Sequence, residues 1–88
     1  MNISSSVAQA IADVADAELY EDYSGRGMYG RTCLGFATSN QAALGRAIGR
    51  ELPEDEAEQL LDRMHTDSLG MRTIVYFPGV RLNDEDED

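Results

Sequence analysis

The sequence predicts an α+β protein in which a small three-stranded antiparallel sheet carries helices on one face. Three observations support this: helical periodicity in three segments, strand-like alternation in three others, and glycine or proline between them. The predicted element order is α-β-β-α-α-β. No linker or repeat divides the chain, so we expect one domain over residues 1–83 and an acidic disordered tail over 84–88.

The first helix is predicted from about Ser6 to Glu18, where it follows a run of serines that are able to cap it. Val7, Ile11 and Val14 recur at helical spacing and are expected to form its apolar stripe. Alanines flank this stripe and permit a close approach to the sheet.

The next two segments alternate like strands, roughly from Glu18 to Tyr23 and from Met28 to Thr38. Between them, the glycines of Ser24-Gly25-Arg26-Gly27 accommodate the positive φ angles of tight hairpin turns. We therefore predict a β-hairpin whose tip carries acidic, apolar and basic side chains.

The second helix is predicted from about Gln41 to Glu51, after a capping residue in the loop that ends at Asn40. Gly45 and Gly49 each cost such a helix about 1 kcal/mol relative to alanine. That cost suggests tight packing against a neighbour, or a short and partly frayed helix.

The third helix is predicted to begin at Pro53 and to end near His65, before a loop at residues 66–68. The third strand is predicted from Leu69 to Phe77. The helix has its apolar stripe at Ala57, Leu60, Leu61 and Met64. The sheet face away from the helices is expected to carry Tyr29, Arg31, Arg72, Ile74 and Tyr76, a composition typical of an interface core.

Charge limits the classes of partner. The net charge is −10, of which the tail contributes five negative charges, and all seven basic residues are arginine. Such a surface repels nucleic acid and anionic membranes, and it attracts basic protein surfaces. No apolar run reaches the roughly 18 residues of a membrane span, and Met1–Ser6 lacks the basic region of a secretory signal, so we expect a cytoplasmic protein in the host cell.

Two clusters are candidate partner-binding sites. In the third helix, Glu54, Glu58 and Asp62 recur every four residues beside Asp55, which predicts an acidic stripe. An ordinary solvated helix face is the simpler interpretation of the same residues. The second cluster is the hairpin tip, with its acidic, apolar and basic side chains. Its members are Tyr20, Glu21, Asp22, Tyr23, Arg26, Met28 and Tyr29.

No catalytic or cofactor motif accompanies these clusters. The Gly25–Gly27 segment precedes a strand and lacks the lysine of a phosphate-binding loop. Cys33 is the only cysteine and His65 the only histidine, and Cys33 in an apolar strand is typical of a core residue in a reducing compartment. We predict no enzymatic activity, no cofactor and no metal.

The stretch Tyr23-Ser24-Gly25-Arg26-Gly27-Met28-Tyr29-Gly30 resembles one found in small uncharacterised proteins of bacterial viruses and mobile elements. The size, the acidity and the lack of a catalytic motif are similar to those of small viral inhibitors of host defence, such as anti-CRISPR proteins. The resemblance implies an inhibitor that binds a basic, nucleic-acid-binding surface of a host defence complex, such as a CRISPR effector. The alternatives are an accessory protein of the element itself, a homodimer formed through the open sheet face, and a small enzyme.

Overall fold

A computed structural model describes residues 2–25 and 28–83, which contain three helices and six strands. The predicted acidic tail, residues 84–88, lies outside the described residues. In chain order the elements are β1 (Asn2–Ser4), α1 (Ser5–Ala15), β2 (Glu18–Tyr23), β3 (Cys33–Thr38), α2 (Gln41–Glu51), α3 (Glu54–Asp62), β4 (His65–Leu69), β5 (Arg72–Phe77) and β6 (Arg81–Asn83).

Four of the strands form an antiparallel sheet in the order β2-β3-β5-β4. The two terminal strands form a separate parallel pair, in which Ile3 of β1 lies opposite Leu82 of β6. The α+β class is therefore confirmed. The three-stranded sheet and the order α-β-β-α-α-β are wrong, because the described chain runs β-α-β-β-α-α-β-β-β.

The extra strand of the main sheet, β4, includes residues 66–68, which the sequence predicts to be a loop. Leu69 pairs with Arg72 across a two-residue turn, and Gly70 at the first turn position has φ +64, as in a type II′ hairpin turn. β4 is an edge strand with mostly exposed side chains, so its sequence carries no alternation of apolar and polar residues. Backbone pairing to β5, and not side-chain burial, makes it a strand.

The strand predicted from Met28 begins only at Cys33. Residues 28–31 instead form a turn, in which the Arg31 N–H donates to the Met28 carbonyl at 3.0 Å. Tyr29 (φ +53) and Gly30 (φ +86) both adopt left-handed backbone angles, the pattern of a type I′ turn, which a strand excludes.

The two faces of the central strands β3 and β5 divide as the alternation predicts. Leu34, Phe36, Val75 and Phe77 are fully buried and pack in one core with residues of all three helices. Cys33, Ala37 and Ile74 lie on the opposite face and are also fully buried. Both faces of β3 and β5 are therefore covered, although the helices pack on only one.

Helix α1 buries a different stripe from the predicted one. Ile11 is fully buried, but Val14 is 47% exposed. The rest of the buried face is alanine, at Ala8, Ala12 and Ala15, so the helix is rotated by about a quarter of a turn from the predicted stripe. Small side chains on this face allow the helix to lie close to its neighbours.

The helix starts follow the predicted capping chemistry. The Val7 N–H donates to Ser4 Oγ at 3.3 Å, and the Ala43 N–H donates to Asn40 Oδ1 at 3.1 Å. The longest described helices, α1 and α2, have 11 residues each, against about 20 for a bilayer crossing, so no described helix can span a membrane.

The glycines of α2 are not packing sites. A Cβ atom added at Gly45 or Gly49 meets no atom within 4 Å, and α2 continues through both residues to Glu51. Neither tight packing nor fraying explains them. By contrast, a Cβ atom added at Gly25 lies 2.9 Å from a ring carbon of Tyr76.

We expect Gly49→Ala to raise the free energy of unfolding by about 0.4–1 kcal/mol, because alanine reduces the conformational entropy of the unfolded chain and meets open space in the folded one. The matched change Gly25→Ala is expected to lower it by about 1–3 kcal/mol through overpacking against Tyr76. Urea denaturation of both variants measures these differences. Equal stability of the two variants would contradict the packing described here.

Candidate functional site

Four rings form a continuous row across the sheet face opposite the helices, and we call Tyr20, Tyr23, Tyr76 and His65 the aromatic row. The Tyr20 and Tyr23 rings meet edge to face with centroids 6.3 Å apart. The Tyr23 and Tyr76 centroids are 5.0 Å apart, and His65 stacks on Tyr76 at 5.6 Å with an interplanar angle of 29°. Each such pair contributes about 0.5–1.5 kcal/mol beyond the burial of its area.

The row reaches across β3 because that strand has a glycine at the crossing point. Gly35 lies opposite both Tyr20 and Tyr76 in the sheet register. A Cβ atom added at Gly35 would lie 3.2 Å from Cβ of Tyr23, so even alanine would displace the Tyr23 side chain. The irregularity of β2 between Tyr20 and Tyr23 brings both rings to this face.

The predicted hairpin tip is divided by this packing. Tyr20 and Tyr23 are half-buried in the aromatic row, whereas Glu21 and Asp22 are exposed between them. Arg26 lies outside the described residues, so the structure gives no position for it.

Of the remaining tip residues, Met28 is half-buried and its Sδ accepts a hydrogen bond from the Gly25 N–H at 3.1 Å. Gly25 does not have a positive φ, so close approach to Tyr76, and not turn geometry, requires glycine there. Tyr29 is 93% exposed, at the turn position with φ +53. Tyr29 is thus the projecting aromatic side chain of the tip.

The predicted acidic stripe lies on the outer surface of α3. Glu54, Glu58 and Asp62 are all exposed. Asp55, also exposed, accepts a hydrogen bond from the Glu56 N–H at 3.1 Å. Over residues 2–25 and 28–83 the only ion pair joins Arg72 to Glu18, so the stripe has no basic partner within the described chain.

That pair lies across the sheet face, with Arg72 Nη2 at 2.6 Å from Glu18 Oε1. Its side chains are 42% and 58% exposed, and an ion pair this exposed contributes between zero and about 1 kcal/mol. Glu18, at the start of β2, is therefore occupied by an internal partner.

The structure does not join the two candidate surfaces. Helix α3 packs on α2 and leads into β4, whereas the hairpin residues extend from β2. β2 and β4 are the opposite edges of the sheet, about 14 Å apart at about 4.8 Å per strand spacing.

Cys33 and His65 do not form a nucleophile pair, because β5 lies between their strands and separates them by about 10 Å. The Cys33 thiol is buried, which raises its pKa above the ordinary 9.0, and a backbone hydrogen bond at Phe77 partly opposes the shift. In the described part of the chain, no three histidine, cysteine or carboxylate side chains converge to hold a metal ion.

The contact between His65 and Tyr76 is not predicted from the sequence. Gly70 was the sequence feature that could have predicted this contact, because a two-residue hairpin turn that begins at Gly70 places His65 directly opposite Tyr76. The alternation of β5 places Tyr76 on the face away from the helices, so His65 lies on that face as well.

Comparison of the chain with protein-family models, with curated proteins and with solved structures finds no match.

Burial of the Cys33 thiol predicts a specific pH dependence. The folded state keeps the thiol neutral to higher pH than the unfolded state, so this contribution to stability is complete below the unfolded pKa and is lost as pH rises from about 9 through the folded pKa. We expect the unfolding free energy of the wild type to fall in that range relative to Cys33→Ala. Parallel pH profiles of the two proteins would contradict the assignment.

Proposed function

We propose that this protein is a non-enzymatic inhibitor of the anti-CRISPR type, which binds a basic, nucleic-acid-binding surface of a host defence complex. The observation that carries the proposal is the acidic stripe of α3, where Glu54, Glu58 and Asp62 are exposed without a basic partner in the described chain. Asp55 widens the negative surface at the start of the helix.

The arrangement of the stripe supports imitation of a phosphate backbone. Successive members are about 6 Å apart along the helix axis and are held on a rigid element. Like charges at this spacing cost the helix a few tenths of a kcal/mol per pair. The nearest arginine in sequence, Arg63, does not relieve that cost, because its guanidinium lies against Gly79, with Nη1 3.2 Å from the position of an added Cβ. The repulsion is retained in the free protein and is relieved when a basic surface binds.

The hairpin tip supplies a second contact surface of different chemistry. Tyr29 is almost fully exposed and adopts a left-handed backbone conformation that costs a residue other than glycine about 1–2 kcal/mol. Aromatic side chains carry much of the energy of protein interfaces, so a projecting tyrosine in a strained position is typical of a contact residue. Glu21 and Asp22 are exposed on the adjoining strand, and Tyr20, Tyr23 and Met28 support the surface from below.

The second candidate function is an accessory protein of a mobile element, or a homodimer formed through the sheet face opposite the helices. Arg72, Ile74 and Tyr76 lie on that face as the alternation predicts, but the predicted members Tyr29 and Arg31 lie in the turn before β3. Ile74 is fully buried and Tyr76 is 7% exposed, so the chain itself covers most of the apolar area. Sedimentation equilibrium tests for the homodimer, since such a dimer doubles the mass.

Removing charge from the stripe tests the leading proposal. The variant Glu54→Gln, Glu58→Gln, Asp62→Asn is expected to lose at least about tenfold in affinity for the target, because three charge-assisted contacts are weakened. Inhibition of target-DNA cleavage by a panel of purified CRISPR effector complexes measures this directly. Affinity capture from lysates of CRISPR-bearing bacteria identifies the retained complex.

The matched control is Asp13→Asn, Asp16→Asn, Glu56→Gln. It removes three exposed carboxylates outside the stripe, so its net charge equals that of the stripe variant. The control is expected to inhibit like the wild type. Equal loss of inhibition in both triple variants would show that net charge alone, and not the stripe, determines binding. Failure of the wild type to inhibit any effector would overturn the proposed function.

Tyr29→Gly separates stability from binding at the tip. Glycine adopts the left-handed conformation without strain, so the free energy of unfolding is expected to stay equal or to rise by up to about 1 kcal/mol. Affinity for the captured target is expected to fall, since the projecting ring is lost. A variant that is destabilised, or that binds like the wild type, would contradict the role given to Tyr29.

A further inference from the structure

A cleft of about 610 Å³ lies at one end of the main sheet, and its described lining is basic although the chain carries a net charge of −10. Arg31, His65 and Arg81 line it, and no carboxylate is among the described lining residues. Arg63 is not among the lining residues, but its guanidinium lies beside the lining residue Gly79, with Nη1 3.2 Å from the position of a Cβ atom added there. Three of the six arginines among the described residues therefore lie in or beside this cleft.

Two tight turns fix the backbone at the cleft arginines. The turn at residues 28–31 closes with the 3.0 Å hydrogen bond from the Arg31 N–H to the Met28 carbonyl. The turn at residues 77–80 closes with a hydrogen bond from the Val80 N–H to the Phe77 carbonyl at 3.0 Å, and Gly79 has φ +87 within it. The Leu34 N–H then donates to the Val80 carbonyl at 2.9 Å, which ties the second turn, and with it Arg81, to β3.

Two members of the aromatic row, Tyr76 and His65, line the inner wall of the cleft. Tyr76 is 7% exposed and is held between Tyr23 and the stacked His65. One face of the His65 ring contacts Tyr76, while the residue as a whole is exposed to the cleft. The wall therefore offers a flat ring surface and the imidazole nitrogens of His65 beside the arginines.

Guanidinium groups without a carboxylate partner retain their donors for a ligand. The only ion pair between described residues belongs to Arg72 and Glu18, so Arg31, Arg63 and Arg81 have no acidic partner within residues 2–25 and 28–83. The planar fork of arginine matches the oxygens of phosphate bidentately, and the volume is within the range of about 300–1,000 Å³ for small-molecule sites.

We infer that this cleft binds a small phosphate-bearing ligand, of which a nucleoside diphosphate is the representative chemistry. The phosphates contact Arg31 and Arg81, with Arg63 at the rim, and the heterocycle stacks on the outer face of His65. The site is independent of the acidic stripe of α3, so it is tested by different variants and its failure leaves the proposed function intact.

Titration of the full-length ¹⁵N-labelled chain with ADP, pyrophosphate and inorganic phosphate at about 0.15 M ionic strength tests the inference. We expect saturable shifts of the backbone amides of residues 28–32 and 79–81, with ADP binding more tightly than pyrophosphate and phosphate most weakly. Arg31→Gln with Arg81→Gln is expected to weaken ADP binding by at least about tenfold. The matched control, Arg46→Gln with Arg50→Gln on α2, removes the same charge and is expected to bind ADP like the wild type.

Absence of saturable shifts, or an equal loss in both double variants, would overturn the inference. Equal affinity for ADP and pyrophosphate would overturn the stacking of the heterocycle on His65. The five acids of residues 84–88 are a competing anion within the chain. If the wild type does not bind ADP but a chain with those five residues changed to Asn or Gln does, the acidic residues compete with the ligand for the cleft. That outcome would overturn the inference that the cleft of the native chain binds a free phosphate-bearing ligand.

Discussion

The central strands β3 and β5 must be covered on both faces, whereas the helices cover only one, and the rest of the structure depends on how the second face is closed. Phe36 and Phe77 meet the helices, with ring centroids 6.1 Å apart. On the other side the chain uses its own aromatic row in place of a second layer of helices. The Tyr23 ring crosses the glycine of β3 to contact Tyr76, and His65 closes the far side from the edge strand.

This solution explains why small residues lie where they do. Gly35 and Gly25 are both in contact distance of the tyrosine rings, and a methyl group at either position would displace an aromatic side chain. The glycines of α2 have no such role, because open space surrounds them. Glycine in this chain therefore serves the second sheet face and the turns more than the helices.

The same packing separates the charges. α3 presents carboxylates outward from one edge of the molecule, and the turns that flank β3 and β5 place Arg31 and Arg81 around a cleft at the end of the sheet. The acidic stripe and the basic cleft are therefore two separate surfaces, and the proposed partners differ accordingly: a basic macromolecular surface for the first and a small anion for the second. The net charge of −10 describes neither surface by itself.

The sequence by itself determined the elements whose burial is periodic or whose ends are capped. Helix α2 matches its predicted bounds, Asn40 caps it, and the alternation of Leu34, Phe36, Val75 and Phe77 gave the correct buried face. The exposed acids of α3 could also be predicted, because their spacing is local.

Only the tertiary structure decided the rest. β4 exists through backbone pairing with β5, and the buried face of α1 was set by how closely alanines approach their neighbours. Arg31 and Arg81, far apart in sequence, line the same cleft because the Leu34–Val80 hydrogen bond joins β3 to the turn before β6. Pairing and convergence of this kind depend on distant residues, and local periodicity carries no record of them.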